Sequence, residues 1–330
     1  MARRHSTSRP ISLFGRRYPV LREERIFGER FLLLESLGHG DRQRFLAYHP
    51  RYRVARRVSF LPKTSAGEQH LRSLFRSQRT NNAFARIHVW EERPESFAVV
   101  HEWVPGDDLE QHIQKIRVGQ LPPMSPHQAV RLVRGLAHGL DWLHNNARIV
   151  HGDLKPANLI PNRNARGLIA VDYGSAWPLE RTMKRQFGDG DDDRYAAPEL
   201  QGATGVVDGR VDQFAVSAIL YEMLTGRLPY QWGGKAGRPM YAATMQPIYV
   251  PPSQIAPHRN KTPDRVWQAL DAVVATGVAF DPERRFRSDR EWLDALEVVW
   301  RSIDPRPTVL TLPTESTGVV AKVLSLFRRR

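Results

Sequence analysis

A short stretch near the middle of the chain brings together residue types that could act on a charged group. The run Ile149-Val150-His151-Gly152-Asp153-Leu154-Lys155-Pro156-Ala157-Asn158-Leu159-Ile160 sets a carboxylate, an ammonium and an amide between two apolar stretches. Lys155 follows Asp153 by two positions and Asn158 follows it by five. Further on, Val171-Asp172-Tyr173-Gly174 closes a strand-like run with a second carboxylate. A positioned carboxylate can accept a proton. An ammonium can neutralise charge that develops nearby, and Asp and Asn oxygens are the hard ligands that magnesium prefers. Alone, His151, Asp153 or Asn158 would pass for an ordinary loop polar; the whole set in this order points to chemistry.

The two segments resemble the catalytic loop and metal-binding motif of protein kinases, H-R-D-L-K-x-x-N and D-F-G. Other landmarks of that family follow in order. Tyr195-Ala196-Ala197-Pro198-Glu199 resembles the A-P-E element, and Val211-Asp212-Gln213-Phe214 the start of the buried helix whose aspartate braces the catalytic loop. Thr225-Gly226-Arg227-Leu228-Pro229-Tyr230 resembles the following turn, and Asp281-Pro282-Glu283-Arg284-Arg285 the arginine motif that pairs with the A-P-E glutamate, here Arg285 with Glu199. The resemblance covers about residues 30–303 and is nearest to the eukaryotic-like Ser/Thr kinases of bacteria, where H-G-D commonly replaces H-R-D. It implies an α+β, bilobal fold: a small antiparallel β-sheet N-lobe with a helix, and a larger, mainly helical C-lobe. It also implies transfer of the ATP γ-phosphoryl group to Ser/Thr hydroxyls of protein substrates. Such a transfer is mostly positioning and charge neutralisation. By the resemblance Asp153 is the base, Lys155 the cation at the moving phosphoryl group, and Asn158 and Asp172 the Mg2+ ligands.

The nucleotide-binding half departs from the family. Gly38-His39-Gly40-Asp41-Arg42-Gln43 has glutamine where a third glycine would let the backbone approach phosphates, leaving Gly38 and Gly40 as the nucleotide-loop candidates. Family spacing from Gly38 puts the third-strand lysine at Phe60 or Leu61, which carry no charge. Lys63, the only lysine before Lys115, is the replacement assigned to ATP; Arg57, in Val54-Ala55-Arg56-Arg57, is the other nearby cation. The helix glutamate that should pair with it falls near Gln78. Glu102 and Val104, in the hinge-like Glu102-Trp103-Val104-Pro105-Gly106, complete the nucleotide contacts. The competing reading is a pseudokinase, a nucleotide-binding or scaffold module without phosphotransfer.

These residues need elements to hold them. The pattern predicts strands at 31–37, 44–48, 58–61, 87–90 and 97–100, with a helical stretch around 68–82. Ser125-Pro126-His127-Gln128 is a capping-box start with Pro at the first helical position, opening a helix with apolar Val130, Val133, Leu136, Leu140 and Leu143. Further helices are predicted at 211–224, 266–278 and 291–300. The organisation expected is a basic extension over 1–28, an N-lobe over 29–104, a C-lobe over 105–304 and a tail over 305–330.

The chain has 330 residues, no cysteine and a net charge of +14. Without cysteine there is no disulfide, thiolate or Cys-type zinc chemistry. Residues 1–104 hold 20 Lys or Arg against 10 Asp or Glu, whereas residues 105–304 balance. This basicity, mostly arginine in a globular pattern, reads as solvated surface and not as a specific nucleic-acid site. No apolar run approaches the roughly 20 residues of a membrane span, and the N-terminus lacks a signal peptide's apolar stretch, so the expected location is cytoplasmic. Asp189, Asp191, Asp192 and Asp193 precede A-P-E as an acidic run. In the tail, Thr308, Thr311, Thr314, Ser316 and Thr317 read either as an unmodified linker or as an autophosphorylation tail, for which the family resemblance implies forkhead-associated domain partners and a cognate phosphatase. Val320, Val323, Leu324 and Phe327 before Arg328-Arg329-Arg330 read as a short, weak docking face for a membrane or partner.

Overall fold

The computed structural model describes residues 9–37, 43–63, 71–72, 75, 81–162, 167–172, 176–179, 182–183, 193–201, 205–230 and 249–303. Gly38 and Gly40, most of the helical stretch around 68–82 with Gln78, the acidic run before Asp193, and the tail lie outside them.

The chain begins with two tight hairpins. Strands β1 (Ile11–Leu13) and β2 (Arg16–Tyr18) are joined by Phe14-Gly15, and β3 (Arg22–Ile26) and β4 (Glu29–Ser36) by Phe27-Gly28. In each two-residue turn both φ angles are positive, 52° and 74° in the first and 51° and 78° in the second. Such a turn matches the twist of its flanking strands and calls for glycine. Part of the expected 1–28 extension is therefore strand. β3 pairs with β4 from Arg22↔Leu33 to Ile26↔Glu29 and so belongs to the N-lobe sheet.

The main sheet continues through β5 (Gln43–His49), β6 (Val54–Pro62), β7 (Ile87–Glu92) and β8 (Ser96–Glu102). It is antiparallel throughout, in the order β3-β4-β5-β6-β8-β7. Alternate side chains leave opposite faces. One face buries Phe31, Leu33, Ala47, Val58, Phe60, Ala98 and Val100. The other carries Leu32, Leu34 and Leu46, against which pack Ile11, Leu13, Tyr18 and Val20 of the N-terminal hairpin, with Ala55 and Trp103. Phe14 stacks on Trp103 with ring centroids 5.9 Å apart.

The C-lobe is mainly helical. It comprises α1 (Leu109–Arg117), α2 (Pro126–Asn145), α3 (Arg210–Thr225), a short α4 (Pro252–Ile255), α5 (Asp264–Gly277) and α6 (Asp289–Ile303). The expected capping box opens α2: Gln128 N donates to Ser125 Oγ at 3.3 Å, and Ser125 N donates to Gln128 Oε1 at 2.9 Å. Helix α3 is buried along nearly its whole length and is the centre of the lobe. It ends where Gly226 takes φ 72°, a left-handed cap that costs glycine little. Helix α1 has a capping box of its own at Asp108, which the apolar periodicity did not reveal. Between α2 and α3 lie β9 (Ile149–Val150) and a hairpin of β10 (Leu159–Pro161) with β11 (Leu168–Ala170). A short bridge ties the lobes: Ala85 N donates to Ala170 O and Ala170 N to Ala83 O, each at 2.8 Å.

Candidate active site

The loop from His151 to Asn158 leaves β9 and enters β10, so strands fix both of its ends. Asp212, at the start of α3, fixes its middle. The Asp212 carboxylate accepts from His151 N and Gly152 N, both at 2.8 Å. Gly152 takes φ 70° there. His144 of α2 supports that carboxylate from behind, with Nε2 at 2.8 Å from Asp212 and Nδ1 at 2.9 Å from Asp289 of α6. Burial opposes charge on His144, but the two carboxylate partners outweigh it and raise its pKa to about 10. His151 is fully buried, and that burial pushes its pKa below the usual imidazole range.

This frame brings Asp153, Lys155 and Asn158 together. Lys155 Nζ stands 3.5 Å from Asp153 Oδ1. Asn158 Nδ2 donates to the Asp153 carbonyl at 3.0 Å and approaches Asp153 Oδ2 at 3.4 Å, which fixes the amide and the carboxylate relative to each other. Asp172 arrives from the neighbouring strand: Val171 N donates to Asn158 O at 3.0 Å, so the two segments run side by side. Asn158 and Asp172 are both buried. Among the described residues no group of three or more His, Cys, Asp or Glu side chains could hold a metal ion. A carboxylate and an amide oxygen flanking the β10–β11 hairpin instead fit magnesium, which usually takes one or two carboxylates and completes its shell with phosphate and water.

The cations facing Asp172 come from the sheet. Arg57 Nη2 lies 3.3 Å from Asp172 Oδ2 and Arg44 Nη2 lies 2.6 Å from the same oxygen. Arg57 on β6 is paired across the strands with Leu46 and His101, placing all three on one face, and Arg44 is two residues from Leu46. His101 is buried beside them; desolvation and then the Arg57 charge lower its pKa to about 3. Lys63 follows the end of β6 and pairs with Glu92 of the outer hairpin. Arg57 is six residues earlier, about 20 Å along a strand. Of the two positions reached by counting from Gly38, Phe60 faces the opposite core and Leu61, on the same face as Arg57, packs against the large core. The count failed because only four residues connect His49 to Val54, so the third strand starts early. Sequence reasoning missed Arg44, and strand alternation from Leu46 is the signal that could have found it.

Glu102 ends β8, and its backbone N–H donates to Arg86 O at 2.7 Å. Val104 follows two residues later, after Trp103, in the link between the lobes. The pairing of Arg285 with Glu199 is bidentate, at 2.6 and 2.7 Å. Tyr195 OH donates to Glu222 of α3 at 2.6 Å, so the A-P-E element is anchored at two points.

The family described as protein kinase domain matches residues 62–294, beginning at the end of β6 and thus beyond the strands that carry Arg44 and Arg57. The chain is 31% identical over 200 residues to serine/threonine-protein kinase PknJ of Mycobacterium tuberculosis, covering 57% of this chain and 32% of that one. It is 30% identical over 206 residues to serine/threonine-protein kinase PknB of Mycolicibacterium smegmatis, covering 60% of this chain and 30% of the other. A probable serine/threonine-protein kinase of Corynebacterium efficiens is 30% identical over 207 residues, 62% of this chain and 29% of its own. The chain therefore spans about a third of the length of these relatives.

Proposed function

The chain belongs to the protein kinase family, and from that premise we propose that it transfers the γ-phosphoryl group of ATP to Ser and Thr hydroxyls of proteins, its own included. The observation that carries this reading is the Asp153-Lys155-Asn158 cluster braced by Asp212, with Asp172 alongside. Asp153 accepts the proton of the incoming hydroxyl as its oxygen attacks the γ-phosphorus, the bond to the β–γ bridging oxygen breaks and ADP leaves. Lys155, one ion-pair length away, steadies the charge on the transferring group. Asn158 and Asp172 are the residues to hold magnesium, which when bound would neutralise phosphate charge. Arg57 takes the third-strand cation's place. Lys155 two positions after Asp153 favours Ser/Thr over Tyr acceptors by family resemblance.

Protein kinases as a family use ATP and magnesium and act on proteins. The particular acceptors, a forkhead-associated partner, a cognate phosphatase and a cytoplasmic location remain expectations of the sequence reading. No helix among the described residues is long and apolar enough to cross a membrane. The pseudokinase reading draws on Phe60, Leu61 and Gln78 standing where the third-strand lysine and its helix glutamate are expected; the nearness of Arg57 to Asp172 supports the active reading on the first of these.

Incubation of the purified chain with ATP, magnesium and a generic acceptor protein, followed by mapping of phosphorylated residues, tests the proposal. Phosphoserine and phosphothreonine on the chain or the acceptor are expected. Phosphate on tyrosine alone contradicts the acceptor class, and none at all contradicts the activity.

A further inference from the structure

The sheet face that meets Asp172 presents a cation to which the kinase resemblance gives no role. Arg44 is 6% exposed, and its Nη2 lies nearer Asp172 Oδ2 than that of Arg57, 2.6 Å against 3.3 Å. Both guanidinium groups thus reach one oxygen of the carboxylate assigned to magnesium. A metal–phosphate complex held by Asp172 would come directly against both. A guanidinium stays charged under all ordinary conditions and offers a planar fork of donors that matches phosphate oxygens. Arg44 has donors to spare: among the described residues its buried Nε has no hydrogen-bond partner. Leaving a buried donor unused is unfavourable, and an arriving phosphate oxygen would satisfy it.

We propose that Arg44 is a phosphate ligand of the nucleotide site, closing with Arg57 as a two-guanidinium clamp on the triphosphate. Arg44 approaches from β5 and Arg57 from β6, so the two grip from neighbouring strands. With magnesium bound, Asp172 would hold the metal, and both guanidinium groups would be available to the phosphates. The ligand class is a nucleoside triphosphate whose affinity depends on its phosphates. This inference rests on the reading that the cleft binds ATP.

Calorimetric titration of the full chain with ATP and with adenosine, both in magnesium, tests it on wild type, Arg44→Met and Arg44→Lys. A charged hydrogen bond contributes about 1.5–3 kcal/mol, roughly tenfold or more in affinity. Arg44→Met is therefore expected to weaken ATP at least about tenfold while adenosine binds as before, and Arg44→Lys to recover part of the loss. An unchanged or tightened ATP affinity in Arg44→Met overturns the proposal, the tightened case marking Arg44 as a plug on Asp172. Equal losses for ATP and adenosine also overturn it, since a damaged sheet would act on both. A wild-type chain that binds no ATP overturns the underlying nucleotide reading and the clamp with it. If wild type binds ATP and Arg44→Met does so equally well, only the clamp fails.

Discussion

Gly152 stands where kinases with the usual letters carry arginine, and its backbone gives a local reason for glycine. Its φ of 70° is left-handed, and its N–H is held by Asp212 at 2.8 Å. A side chain in that conformation costs about 1–2 kcal/mol. Gly152→Ala is expected to lower stability by about that amount in urea unfolding, and no loss would show that the loop can relax. His144 sets a pH dependence on the same frame. Its folded pKa of about 10 lies above the ordinary 6.5, so its contribution is full below about pH 6.5 and is lost as pH rises through about 10. Asp289 works in the opposite sense. Burial would raise its pKa, but His144 outweighs burial and lowers it, so its contribution disappears on acidification. Unfolding midpoints measured against pH are expected to fall on both sides of a plateau in the mildly acidic range, with His144→Gln abolishing the alkaline fall. An alkaline fall of the same size in that variant would assign it to another group.

Among the elements, packing leaves little tolerance where α5 crosses α3. A Cβ added at Gly277 would run into Ser217, lying 2.6 Å from its Cβ and nearer still to its Oγ. Overpacking of this kind typically costs about 1–3 kcal/mol. Gly277→Ala is expected to lose that much in a denaturant series, and Ser217→Gly to restore part of it in the double variant. Strict additivity of the two changes would place the cost elsewhere. The helices were the most legible elements. The Ser125 capping box, the apolar spacing of α2 and the Thr225-Gly226 stop each name a boundary in residues that can form it. The N-terminal strands were not legible. Their turns are Phe-Gly pairs with Phe at positive φ, far from the Asn-Gly or Asp-Gly that marks such a turn, and β1 and β2 are only three residues long. Their apolar residues form a stripe only once Leu32, Leu34 and Leu46 stand opposite them.

Across the whole molecule, the proposed catalysis depends on two lobes meeting at one carboxylate. Asp172 belongs to the C-lobe hairpin, while the cations on it, Arg44 and Arg57, belong to the N-lobe sheet. The lower half of this site could be read from sequence because Asp153, Lys155 and Asn158 are close neighbours on one loop. The upper half was legible only in part: Arg57 stood out as a nearby cation, but Arg44 did not, because a residue on a strand reaches the site only if register and face allow it. Counting from Gly38 passed over the short β5–β6 connection and reached Phe60 or Leu61, three or four residues beyond Arg57. The proposed activity requires Asp153 as the base of a working phosphotransferase. The most direct measurement compares turnover and ATP binding for the native chain and Asp153→Asn, with labelled ATP and magnesium. Turnover is expected to fall by about 10²–10⁴ in the variant while ATP affinity stays close to native. Equal turnover in the two proteins, or none in the native one, would contradict the account.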